Sequence, residues 1–140
     1  MQGFLFIFPL TGCFLYPNGY NQGGGMIKPL YWVGQSKKDL LAQPENVQDV
    51  FGYALWLAQQ GKRHNQAKPL KGFGGAGVLE VVEDYQGNTW RAVYTIMLKD
   101  AVYVLHVFQK KSVSGKAMPK PDAALIYQRL KAAQNHAQGS

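Results

Sequence analysis

Residues 27–33 string β-branched and aromatic side chains together and stop at Gly34, the pattern of a first strand. Ser36-Lys37-Lys38-Asp39 follows, with a serine suited to capping backbone amides and an acidic residue in the first turn, which predicts a short helix to about Ala42. Pro44 suits the first turn of a second helix, in which Val47, Val50, Phe51, Ala54 and Ala58 recur at i, i+3, i+4, i+7 spacing until Gly61 stops it. The two helices predict a hairpin whose apolar stripe covers a sheet. Residues 61–77, rich in Gly and Lys, read as a loop. The period then changes: residues 78–83, 90–98 and 102–108 are strand-like runs separated by Gln86-Gly87-Asn88 and Lys99-Asp100, short turns that imply consecutive antiparallel hairpins. Pro121-Asp122 opens a C-terminal helix with Ala123, Ile126, Tyr127 and Leu130 on one side, and residues 134–140 read as a frayed tail. The expected fold is α+β: an N-terminal strand, a helical hairpin, an antiparallel three-stranded meander and a C-terminal helix.

Turn parity decides which side chains meet, because successive residues of a strand point to opposite faces. If Lys99-Asp100 is a two-residue turn, Leu98 opposes Ala101, and counting back sets Val93 against His106 and Arg91 against Phe108. Arg91 and His106 then share a face, and an even turn near Gly87 brings Glu80 and Val82 onto it. The opposite face collects Leu79, Val81, Trp90, Ala92, Tyr94, Ile96, Tyr103, Leu105 and Val107, apolar enough to receive the helices. A single bulge would rotate part of either set.

At 140 residues, 46% hydrophobic and 16% charged, the chain fills one core and not two. Fifteen Lys and Arg against eight Asp and Glu give a formal net charge of +7, suited to RNA, DNA or the ribosome, with an anionic membrane surface as the rival partner. One cysteine, Cys13, excludes an intramolecular disulfide framework and a Cys-rich zinc site, which makes a reducing cytoplasm the expected compartment. Every charged residue lies at Lys28 or beyond, so residues 1–25 form an uncharged extension. Its run Phe4-Leu5-Phe6-Ile7-Phe8-Pro9-Leu10 resembles the apolar part of a signal peptide but lacks a basic flank and an Ala-x-Ala site. Pro9 interrupts it well short of the roughly 20 apolar residues of a membrane span. The preferred expectation is that translation begins at Met26, since Gly23-Gly24-Gly25 implies purine-rich GGN codons like those preceding bacterial start sites. N-terminal sequencing that finds Met1 or Gln2 overturns it. Residues 26–133 are then the folded domain.

The candidate chemistry lies on the polar face. Arg91 offers a planar fork to a phosphate, or else pairs structurally with Glu80. His106 is either a satisfied strand histidine or a general acid or base. Lys110-Lys111-Ser112, with Lys116 and Lys120 beyond, and the stretch Lys62-Arg63-His64, Lys68 and Lys71, place two basic loops at the rim of one face, a nucleic-acid footprint. Gly72-Phe73-Gly74-Gly75-Ala76-Gly77 lacks the Gly-Lys-Ser/Thr ending of a P-loop and reads as a hinge or a loop that folds around RNA. His64, His106 and His136 have no metal-ligand spacing, so no metal or other cofactor is expected.

Trp90-Arg91-Ala92-Val93-Tyr94 followed by Tyr103-Val104-Leu105-His106-Val107-Phe108-Gln109-Lys110-Lys111-Ser112, in this order of elements, resembles the RelE/ParE toxin superfamily. It is most similar to the phage-derived, HigB-like branch, whose strands read Arg-x-x-Tyr and Leu-His-x-Phe-x-Lys-Lys. The resemblance covers about residues 26–133. It implies a RelE-like fold and the toxin of a type II toxin–antitoxin pair: a cytoplasmic, metal-independent endoribonuclease that cleaves mRNA on the ribosome and is held by a helix-turn-helix antitoxin, with no membrane partner. Carried over by position, Arg91 would stabilise the phosphorane, and Lys111 or Lys110 would bind phosphate or protonate the leaving oxygen. Glu80 or His106 would take the 2′-OH proton, and Lys68, Lys71 and Lys116 would bind RNA. Glu80 stands where the RelE type carries strand lysines. The rivals are a ParE-like protein that binds gyrase without chemistry and an inactive relative that binds only RNA or an antitoxin.

Overall fold

In a computed structural model the described residues are 7–10, 27–73, 75, 77–98, 100–110 and 118–139. Strands β1 (Ile7–Leu10) and β2 (Leu30–Val33) precede helices α1 (Ser36–Leu41) and α2 (Glu45–Gln59). Then come β3 (Ala67–Pro69), β4 (Val78–Tyr85), β5 (Asn88–Leu98), β6 (Ala101–Lys110) and helix α3 (Lys120–Gly139). The fold is α+β, but the sheet is larger than the meander expected. Six strands lie in the order β1-β2-β6-β5-β4-β3, all neighbours antiparallel except β2 and β6, which run parallel. After β2 the helical hairpin crosses one face to the far edge, and the meander walks back until β6 lies beside β2. Two strands were not foreseen. Part of the uncharged extension forms β1, and β3 sits inside the stretch read as a loop, where Ala67, Lys68 and Pro69 pair with Val81, Glu80 and Leu79.

The helical hairpin packs on one face of the sheet. Trp32, Leu40, Val47, Phe51, Ala54 and Leu55 meet Leu79, Val81, Ala92, Tyr94, Val104 and Val107 there, with Trp90 and Ile96 against them. Ser36 does not cap α1: its hydroxyl donates to the Val104 carbonyl at 3.1 Å, pinning the helix to β6. The other face is not open, as the sequence suggested, but carries α3, whose Ile126, Leu130, Ala133 and Ala137 pack on Val93, Tyr103, Leu105 and Phe108. The stripe of α3 excludes Tyr127, which is 55% exposed, and the stretch read as a frayed tail is helical to Gly139 with Ala137 buried. Tyr127 instead turns its ring toward the Lys131 ammonium, 5.5 Å away, on the outer side of the helix.

Gln86 and Gly87 form a two-residue turn, both with positive φ, the geometry that matches strand twist. Leu98 opposes Ala101, Val93 opposes His106 and Arg91 opposes Phe108, as counted from the sequence. The count survives because two irregularities cancel: β6 carries an extra residue, Leu105, opposite Val93/Tyr94, and β5 carries one between Thr95 and Leu98. The bulge at Leu105 resets alternation, so Tyr103 and Leu105 lie on the α3 face instead of the face predicted for them.

Candidate functional site

Pairing aligns four side-chain positions in one cross-strand row on the α3 face: Lys68 of β3, Glu80 of β4, Val93 of β5 and His106 of β6. The adjacent row holds Val82, Arg91 and Phe108. Glu80, Arg91 and His106 therefore share a face, and each is only 7% exposed. They form two groups. Glu80 and His106 are separated by Val93 and by two strand spacings, about 10 Å.

In the first group Arg91 Nη1 donates to Glu80 Oε1 at 3.1 Å, while Arg91 Nε is buried with no hydrogen-bond partner. Lys110 lies at the end of the next strand, half-buried. Burial first, then the Arg91 cation, push its ammonium below the ordinary lysine pKa; Glu80 opposes this and Lys68 adds a smaller push. Lys68 stands opposite Glu80 in the strand register, and Lys110 shares its cross-strand row with Thr89 and Asp84. Lys71 is exposed just beyond β3. Lys111 and Lys116 lie outside the described residues, as do Lys99, Gly74 and Ala76.

In the second group both ring nitrogens of His106 are engaged. Nε2 lies 2.8 Å from Asp122 Oδ1, and Nδ1 faces Arg129 Nη1 at 3.5 Å. A guanidinium can only donate, so the neutral ring accepts at Nδ1 and its Nε2–H donates to Asp122. The imidazole also stacks on Phe108 at a centroid distance of 4.4 Å. Arg129 donates to the Leu105 carbonyl at 2.8 Å, the carbonyl of the bulge. It rests against Gly34, where an added Cβ would meet the guanidinium at 2.8 Å. Asp122 and Arg129 were not singled out in the sequence, yet a signal for Arg129 existed: it falls inside the 126, 130, 133, 137 stripe of α3, where a cation has no reason to be unless something buried accepts its protons.

Burial, with Arg129 beside it, lowers the His106 pKa below the ordinary histidine value, against the opposing pull of Asp122 and Asp39. A depressed folded-state pKa stabilises the protein above the unfolded value and loses that contribution as pH falls through the folded one. Folding stability is expected to be flat above about pH 6.5 and to decline below it. Denaturant melts between pH 5 and 8 measure this, and His106→Gln, which keeps a donor for Asp122, is expected to flatten the profile.

Tyr94, three residues after Arg91, points to the opposite face. Its hydroxyl is buried without a partner, and burial raises its pKa to about 12. A cavity of about 330 Å³ at the start of β4, lined by Leu70, Phe73, Val78, Leu79 and Met97, is apolar. Among the described residues no three His, Cys, Asp or Glu side chains gather as metal ligands, and no helix is long and apolar enough to cross a membrane.

The fold and the site define a small basic α+β protein whose sheet carries a buried arginine–carboxylate pair with Lys68 and Lys110 nearby. Residues 38–131 match the family described as Phage derived protein Gp49-like (DUF891), from within α1 through most of α3 and including both charged groups. The chain belongs to this phage-derived Gp49-like family. No curated protein and no solved structure gives a match.

Proposed function

We propose that the chain is the toxin of a type II toxin–antitoxin system of the RelE/ParE superfamily, HigB-like branch, acting in the cytoplasm as a metal-independent endoribonuclease on ribosome-bound mRNA. The observation that carries this reading is the buried Arg91–Glu80 pair at a sheet face, with Lys68 opposite Glu80 in the register and Lys110 within the electrostatic influence of both, a set of donors suited to a phosphodiester. Membership of the Gp49-like family supports it.

In this reading the ribose 2′-OH loses its proton to Glu80, its oxygen attacks the adjacent phosphorus, and the bond from phosphorus to the 5′-oxygen breaks. The leaving oxygen takes a proton from Lys110 or Lys111, giving a 2′,3′-cyclic phosphate and a free 5′-OH. Arg91 stabilises the charge that builds on the phosphorane oxygens. The base is Glu80 and not His106, because neither imidazole nitrogen is open to a substrate. His106, Asp122 and Arg129 clasp α3 to the sheet beside the site. Lys71 and Lys116 extend the RNA track, and a helix-turn-helix antitoxin is the inhibitory partner.

Primer extension on message after induction tests the reading: cuts within codons are expected, and Lys110→Ala is expected to reduce them about 10- to 100-fold. Its failure would be DNA damage without cuts, or growth arrest with intact message. A second reading, binding to gyrase, RNA or an antitoxin without chemistry, is favoured by one observation: Arg91 is already neutralised by Glu80.

A further inference from the structure

Arg91 is in an unusual position for a group that is to receive a substrate. It is only 7% exposed, yet among the described residues only Nη1 bonds a carboxylate, and Nε has no partner. A guanidinium presents five donors in a rigid fork that fits two oxygens at once. Glu80 fills part of that fork with a single oxygen. The pair is flanked by Lys68, directly across the strand pair from Glu80, and by Lys110. The Arg91 fork therefore keeps donor capacity that Glu80 does not fill, the condition under which a second anion can be taken up.

We propose that Glu80 is an internal stand-in for the substrate phosphate: its carboxylate holds the Arg91 fork in place in the unliganded protein and is displaced from it when a phosphodiester arrives. The inference rests on the reading of Arg91 as the phosphate-binding group and adds a gate to it. An unpaired guanidinium at this depth would be costly, and a carboxylate one strand away removes that cost while keeping the fork aimed. A stray phosphate monoanion must compete with a tethered carboxylate and so binds weakly. A ribosome-bound message brings many further contacts, and their binding energy drives the exchange. Displacement also sets Glu80 free, still within reach of Lys68 and Lys110, to accept the 2′-OH proton. The same side chain therefore blocks the site when it is empty and acts as base when it is full.

The gate gives one substitution two effects of opposite sign. Glu80→Gln keeps the shape and removes the competing charge, so inorganic phosphate is expected to bind at least about tenfold more tightly by calorimetry, while cleavage of ribosome-bound message slows. A side chain with a purely structural role would lower the melting temperature and leave phosphate affinity unchanged or weaker, and that result in the folded variant overturns the proposal. Should Glu80→Gln fail to fold, the parent protein gives the answer by NMR. The Arg91 Nε–H resonance is expected to move saturably as inorganic phosphate is added, and no movement overturns the gate. The two readings fail separately. Tighter phosphate binding in a protein that never cuts message keeps the gate and removes the ribonuclease, whereas codon cleavage with unaltered phosphate affinity does the reverse.

Discussion

Arg91→Ala is expected to lose about 3–5 kcal/mol of folding stability, because it leaves the Glu80 carboxylate buried without its counter-charge. A loss of toxicity in that variant would therefore say little about chemistry, since the protein would be partly unfolded. Replacing both partners at once, Arg91→Met with Glu80→Met, removes the uncompensated charge and fills a similar volume, and its stability is expected to return close to that of the parent. The double variant is the one that tests the site. Denaturant melts should show it folded, and codon cleavage should fall by at least about 10²- to 10³-fold, because the variant removes both a preorganised donor to the developing oxyanion and the base. A folded double variant that cleaves at the parental rate would remove both Arg91 and Glu80 from the mechanism.

The second large effect concerns Gly34 and Arg129, which are far apart in sequence and in contact in space. Gly34 has φ +62°, and a Cβ there would collide with the guanidinium that bonds the Leu105 carbonyl. Gly34→Ala is expected to lose about 1–2 kcal/mol from the left-handed backbone and about 1.5–3 kcal/mol from displacing the charged hydrogen bond. Arg129→Met removes the same hydrogen bond by another route. In the double variant the second penalty cannot be incurred twice, so the two losses are expected to fall short of additivity by about 1.5–3 kcal/mol. Additive losses in equilibrium melts would show that the two residues do not act through one contact.

Much of the fold was legible because local periodicity and turn chemistry agreed. The 3.6-residue stripe of α2 had one sterically sensible interpretation, the turn near Gly87 needed only to be even for its strands to share a face, and the pairing of Val93 with His106 followed from counting. What escaped the count was non-local. β3 is only three residues long and owes its strand state to hydrogen bonds with β4, so nothing in Ala67-Lys68-Pro69 itself announces a strand. The bulge at Leu105 is anchored by an arginine 24 residues later, a relation no window along the chain can contain. The site was legible in part for the same reason. Strand parity put Glu80, Arg91 and His106 on one face, whereas their division into two groups depends on α3, whose placement on that face was not foreseen. Asp122 and Arg129 come from that helix, and they face the two ring nitrogens of His106.

The extra residue at Leu105 also bears on how distant members of this lineage should be compared. Leu105 and His106 both face α3, so deleting the Leu105 codon would leave regular alternation, with Val104 and Val107 toward the helical hairpin and the imidazole still toward Asp122. A homologue without the insertion therefore keeps its histidine on the clasp side, and its alignment with this chain needs a one-residue gap between the positions of Val104 and His106.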